Sequence, residues 1–225
     1  MTGYQDDYRR PQSDHPIPIK LLWEIPHNPD LPTEVRQPQN MAFTLPECPN
    51  GISEVMKAWF GMQEQFAPVF ILFFAVRYHP DLYAELRFLP YAQAIESYDR
   101  RRRKTGSAIN QRLRATVKTC PTVRASLLKA AGVTLEEFLA SFEDSRNYYT
   151  HYTSGPEENS QATRGALLYV LTVQLQAVIE MVLLHRLGFT DKAIDEIFKT
   201  RIERYREIAI VKAQASDEDL VVPQE

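Results

Sequence analysis

The chain has 225 residues, 44% of them hydrophobic and 24% charged, with a formal net charge of −3 at pH 7. These values describe an ordinary globular chain long enough for one sizeable core, and they exclude a fibrous or wholly disordered protein. Two cysteines, Cys48 and Cys120, exclude a disulfide framework and suit a reduced, cytoplasmic setting.

No apolar run follows Met1, where the residues through Arg10 are mainly polar or charged, so no secretory signal is expected. Nine of the fifteen prolines fall before residue 50. Residues 1–49 therefore read as an irregular, proline-rich extended arm, with room for one short strand at Ile17 to Ile25. From residue 50 the apolar spacing becomes helical, and residues 50–210 read as an all-α helical bundle.

Ser53 is expected to cap a helix carrying Val55, Met56, Trp59 and Phe60, and Pro68 to open a very apolar second helix ending near Pro80. Asp81 is placed to cap a third, which Pro90 should kink or restart. A helix from about Ser107 carries Leu113 and Val117, Cys120-Pro121 breaks the pattern, and Thr122 to Ala130 forms another turn or two. Thr134 and Glu137 have capping-box spacing at the head of a helix containing Phe138, Leu139 and Phe142; Ser154-Gly155-Pro156 ends it. The longest helix runs from about Gln161 to Leu187, with Gly188 as its stop. Its apolar core is interrupted by Gln174, Gln176 and Glu180, which fit a buried helix better than a membrane span. Thr190 caps a last helix from Lys192 to about Ile208, and residues 211–225 form a polar, acidic tail.

Charge is unevenly placed. From Arg100 to Leu135 there are ten basic residues and no acidic one, which leaves 16 basic against 29 acidic, or −13, elsewhere. Arg100, Arg101, Arg102, Arg103 and Lys104 head this segment and are candidate RNA contacts. Cations near a helix C-terminus are also favoured by its dipole, so a plain solvated face accounts for the same run.

The segment Arg146-Asn147-Tyr148-Tyr149-Thr150-His151 carries the candidate chemistry. Histidine moves protons near neutral pH, and the forked arginine suits a phosphate. On a helix Asn147 and His151 share a face, and the long Arg146 side chain reaches toward the same opening. Glu143, four residues before Asn147, is placed to orient it. Tyr148 and Tyr152 add aromatic surface on which bases could stack. Core packing and local ion pairs explain the same residue types equally well. The five histidines include no metal-type pair at helical spacing, and no phosphate-cradling glycine loop occurs, so no metal and no cofactor are expected.

An all-α bundle bearing Arg-Asn-x-x-x-His resembles the HEPN superfamily, and within it the ApeA-like HEPN group. The stretches Tyr83 to Leu89, Ala92 to Tyr98 and Leu183 to Phe189 carry the likeness, which spans about residues 50–205. The resemblance implies a metal-independent endoribonuclease that dimerises so that two motifs line one cleft. Arg146 would hold the phosphate, Asn147 position it or the imidazole, and His151 handle protons. The RNA 2′-hydroxyl would attack the neighbouring phosphate and leave a cyclic phosphate end. Glu96 would hold Arg146. A toxin or anti-phage role follows from the same likeness. The sequence departs from it in two places. Residues 1–50 are too short for the large β-rich domain of many ApeA-like proteins, which assigns sensing to a regulatory partner protein. Some HEPN toxins carry a tyrosine two residues after the histidine, where this chain has Thr153. A non-catalytic RNA-binding or assembly module is the alternative reading.

Overall fold

The computed structural model describes residues 42–79, 82–103, 108–151 and 161–218. The expected strand at Ile17 to Ile25, the Asp81 cap and the Ser154-Gly155-Pro156 stop lie outside the described residues, as do Lys104 and Tyr152. Among the described residues the fold is all-α, with nine α-helices, one 3-10 turn at Leu45–Glu47 and no strand.

Helix α1 (Ile52–Gln65) begins one residue before the expected cap. Gly51, at φ 86°, occupies the N-cap position, a conformation a side chain at that position would resist, so Ser53 lies inside the helix. Pro68 sits in the first turn of α2 (Ala67–Arg77), where its missing N–H costs nothing. The two helices meet at a bend of 100°. Helix α3 runs unbroken from Ala84 to Arg103 with Pro90 inside it, rather than restarting there. The carbonyl that Pro90 leaves without an intrahelical donor belongs to Leu86, an exposed residue in the first turns.

Helix α4 (Ile109–Val117) and helix α5 (Pro121–Ala131) follow. Gly132, at φ 65°, closes α5 in the left-handed conformation typical of helix ends. Helix α6 (Leu135–His151) opens on a complete capping box: Thr134 N donates to Glu137 Oε2 (2.7 Å) and Glu137 N donates to Thr134 Oγ1 (3.2 Å).

Helix α7 (Gly165–Arg186) is the axis of the molecule. Fifteen of its 22 residues are buried, and it packs on α3, α9 and, more lightly, on α4, α5, α6 and α8. It is long and apolar enough to cross a bilayer, but 83% of its apolar window is enclosed by the other helices. Each Leu, Ile or Val enclosed in this way contributes roughly 1.5–3 kcal/mol. The buried Gln176 donates to Glu180 Oε1 (2.9 Å), so this polar interruption has a partner. Gly188, at φ 98°, ends the helix, with Phe189 N bonded back to Leu184 O.

The expected final helix is two. Thr190 does cap α8 (Asp191–Thr200), its Oγ1 accepting from Ala193 N at 3.2 Å, but α9 (Arg204–Glu218) starts afresh after a turn containing Glu203 at φ 43°. The turn swings Arg204 into the interior, where its guanidinium pairs with Glu180 of α7 (Nη2–Oε1 2.7 Å). Helix α9 also extends past residue 210, into the segment expected as tail.

Candidate functional site

Helix α6 presents a buried stripe, Phe138, Leu139, Phe142, Ser145 and Tyr149, to the core. Its far end is fixed to the start of α7. Tyr149 OH donates to Thr163 O (3.1 Å), and Thr163 N donates to Ser145 Oγ (2.9 Å). The packing leaves Asn147, Thr150 and His151 exposed and places Arg146 on the boundary, with 26% of its side chain accessible.

The centre of the site is a carboxylate from another helix. Glu96 of α3 is only 8% exposed, and its Oε1 accepts from Arg146 Nε at 3.1 Å. Its Oε2 faces two further guanidinium groups, Arg100 Nη2 at 3.5 Å and Arg112 Nη1 at 3.7 Å. One buried negative charge thus gathers three arginines from α3, α4 and α6. Arg146 Nη1 also donates to Asn147 Oδ1 (3.2 Å). The arginine is therefore held on two sides, with its guanidinium plane fixed near the surface.

His151 is not part of that cluster. Five residues along a helix correspond to about 7.5 Å of rise and about 140° of rotation, and no hydrogen bond joins His151 to Arg146, Asn147 or Glu96 among the described residues. The expectation that Glu143 orients Asn147 is corrected. Glu143 Oε2 accepts instead from Asn110 Nδ2 at 2.8 Å, tying α6 to α4. Tyr148 stands edge-on to Tyr149, with ring centroids 4.9 Å apart, and Arg164 lies 5.0 Å from its centroid. Part of the aromatic surface expected to meet bases is thus packed against the protein.

The basic run at the end of α3 divides. Arg103 makes a two-pronged pair with the fully buried Asp99 (Nε–Oδ1 2.7 Å, Nη2–Oδ2 2.9 Å). Arg102 donates to Ala115 O (3.4 Å) and Thr119 Oγ1 (3.3 Å) of the α4 segment. Arg103 thus braces the last turn of α3 itself, and Arg102 fastens α3 to α4. Arg100 and Arg101 remain exposed. Arg112 is the member of the site that motif reading passes over. It lies on α4 in the same buried stripe as Leu113, Thr116 and Val117, and a cation within an apolar stripe is the signal that marks it. Among the described residues no three His, Cys, Asp or Glu side chains converge as a metal-holding group.

An all-α bundle in which one helix carries an arginine and a histidine, with the arginine fixed by a carboxylate from a neighbouring helix, is consistent with a HEPN-class domain. Residues 89–193 match the family described as Apea-like HEPN, and this segment holds Glu96, Arg112, Arg146, Asn147 and His151. The chain carries a HEPN domain of the ApeA-like group, and that membership suggests a nuclease or RNA-related role in defence. No curated protein and no solved structure matches the chain.

Proposed function

We propose that this chain is a metal-independent endoribonuclease of the HEPN type, acting in the cytoplasm as a homodimer in toxin or anti-phage defence. The observation that carries the reading is the pairing of a fixed, partly exposed arginine with an exposed imidazole about one and a half turns further along the same helix. Arg146, oriented by Glu96 and Asn147, holds the scissile phosphate and meets the charge that develops on it. His151 moves the proton between the RNA 2′-hydroxyl and solvent or the leaving oxygen. The nucleophile belongs to the substrate, so the protein need supply only charge, orientation and proton transfer. Within one chain Arg146 and His151 diverge. A second copy facing the first would bring an imidazole of one subunit toward the arginine cluster of the other.

The test is incubation of the full chain with mixed cellular RNA in the presence of a chelator, comparing wild type with His151→Ala. Wild type should yield fragments with cyclic phosphate ends. The variant should lose roughly 100-fold or more of the rate, the usual worth of a general acid–base group, while keeping its thermal midpoint. Cleavage by His151→Ala at the wild-type rate sinks the reading. RNA bound but left intact by wild type would favour the non-catalytic RNA-binding module.

A further inference from the structure

One flank of α4 has no assigned role. Gln111, Arg114, Ala115 and Lys118 recur at three- and four-residue intervals and share a face, away from the buried Arg112, Leu113, Thr116 and Val117. With Arg102 and Arg103 of α3 and Thr119, they line an open cleft of about 450 Å³. Among the described residues four cations line it and no carboxylate does. The carboxylates that touch it do so from outside the lining: Asp99 through Arg103, and Glu136 through a close two-pronged pair with Arg114. The hydrogen-bonded pair with Arg114 holds the Glu136 carboxyl below its ordinary range, so that pair stays ionised. Arg102 donates from Nη1 and Nη2 to neutral oxygens, its Nε is buried without a hydrogen-bond partner, and Lys118 is exposed and makes no ion pair among the described residues. The cleft therefore keeps an excess of positive charge. The small Ala115 in its lining leaves space between the long side chains.

Position supports the same conclusion. Arg100, in the Glu96 cluster with Arg146, is three residues from Arg103 in the cleft wall, about 4.5 Å along α3. Gln111 adjoins Arg112, another member of that cluster. Cations thus continue from the proposed cutting site to the cleft. Helix-end electrostatics favour Arg102 and Arg103 at the end of α3 and Arg114 and Lys118 at the end of α4, but they do not account for the convergence of the two helix ends on one cleft.

We infer that this cleft is a phosphate subsite for the backbone of a single-stranded RNA running on from the cut. The inference rests on the ribonuclease reading and extends it. Lys118 supplies a mobile point charge, Gln111 a neutral donor, and Arg102 fixed charge along the wall. Such a groove tracks phosphates without reading bases.

The experiment measures binding of a fluorescent single-stranded RNA to the full chain over a range of salt concentrations. Lys118→Glu is compared with wild type and with Lys129→Glu, an equal change of charge at an exposed α5 residue outside the cleft. Lys118→Glu should weaken binding roughly tenfold at low salt and flatten the salt dependence by about one phosphate contact. Lys129→Glu should bind as wild type does. If Lys118→Glu and Lys129→Glu weaken binding equally, or neither weakens it, while wild type still binds or cuts RNA, the subsite is overturned and the ribonuclease reading stands. If wild type neither binds nor cuts RNA, the ribonuclease reading fails and the subsite falls with it. Pyrophosphate is the second arm. If pyrophosphate binds wild type in a Lys118-dependent way where RNA does not, the cleft serves a free anion, and the RNA assignment is overturned.

Discussion

A carboxylate as enclosed as Glu96 is costly to desolvate unless charge surrounds it. Here three guanidinium groups do, at 3.1, 3.5 and 3.7 Å. The carboxylate fixes Arg146, and it also cancels part of the positive charge that would otherwise meet an incoming phosphate. Glu96→Gln separates these effects. The amide keeps the size and one acceptor but removes the charge. Stability should fall by about 2 kcal/mol, the scale of a hydrogen bond to a charged group. RNA affinity should hold or rise, because three cations are left uncancelled. The cleavage rate at saturating RNA should drop by about tenfold or more, since Arg146 loses its orientation. Affinity titrations beside single-turnover cleavage decide the matter. A parallel fall in both would mean that Glu96 serves only the fold. Arg146 and Glu96 were both legible as candidates from motif and resemblance. That Arg112 shares the carboxylate was not, because a contact between residues 96 and 112 depends on how α4 folds back over α3, which no local spacing records.

At the scale of elements, local chemistry was readable wherever a residue bonds to its own near neighbours. Thr134 with Glu137, Thr190 with Ala193, and Gly188 after α7 all act within three or four residues, and each marks a helix end that the sequence announces. The break between α8 and α9 was not readable. Arg201, Ile202 and Glu203 contain neither glycine nor proline, and their spacing continues a helix. The interruption comes from a distant demand: Arg204 reaches Glu180, 24 residues back on α7. Glu143 was misread for the same reason, because its partner Asn110 lies 33 residues away. Helix α6 offers a direct check of the local class. Thr134→Ala removes one half of its capping box and should cost about 1 kcal/mol in urea unfolding. Thr134→Ser keeps the hydroxyl and should restore most of that. Equal losses in both variants would show that the threonine methyl, rather than the cap, stabilises this end.

Several carboxylates across the described residues are held in their ionised form, some joining separate elements and some capping a helix. Asp195 of α8 is the most enclosed of these, accepting from Lys199 (2.5 Å), from Tyr205 of α9 (2.8 Å) and from Ser126 of α5 (2.8 Å). Burial alone would raise its carboxyl, but the hydrogen bonds from Lys199, Tyr205 and Ser126 outweigh burial and hold it below its ordinary value of 3.8. Glu47 and Glu137 are likewise lowered from 4.5, each chiefly by hydrogen bonds from a threonine, Thr44 and Thr134 respectively. A carboxyl whose folded value is depressed contributes stability that is fully present above its unfolded value and is lost as the pH falls through the folded one. All three act in the same direction, so the thermal midpoint should be level near neutrality and decline once the pH drops below about 4.5. Asp195→Asn isolates the largest structural link. At pH 7 the variant should melt below wild type, because the amide cannot match a charged acceptor to three donors. As the pH falls below 3.8, where the carboxyl of the unfolded chain takes up its proton, and on through the lower value of the folded one, the wild type loses the same advantage, so the two melting curves should converge. A gap that stays constant from pH 7 to the acid limit of folding would show that Asp195 joins α5, α8 and α9 through shape and neutral hydrogen bonding, with its charge contributing nothing.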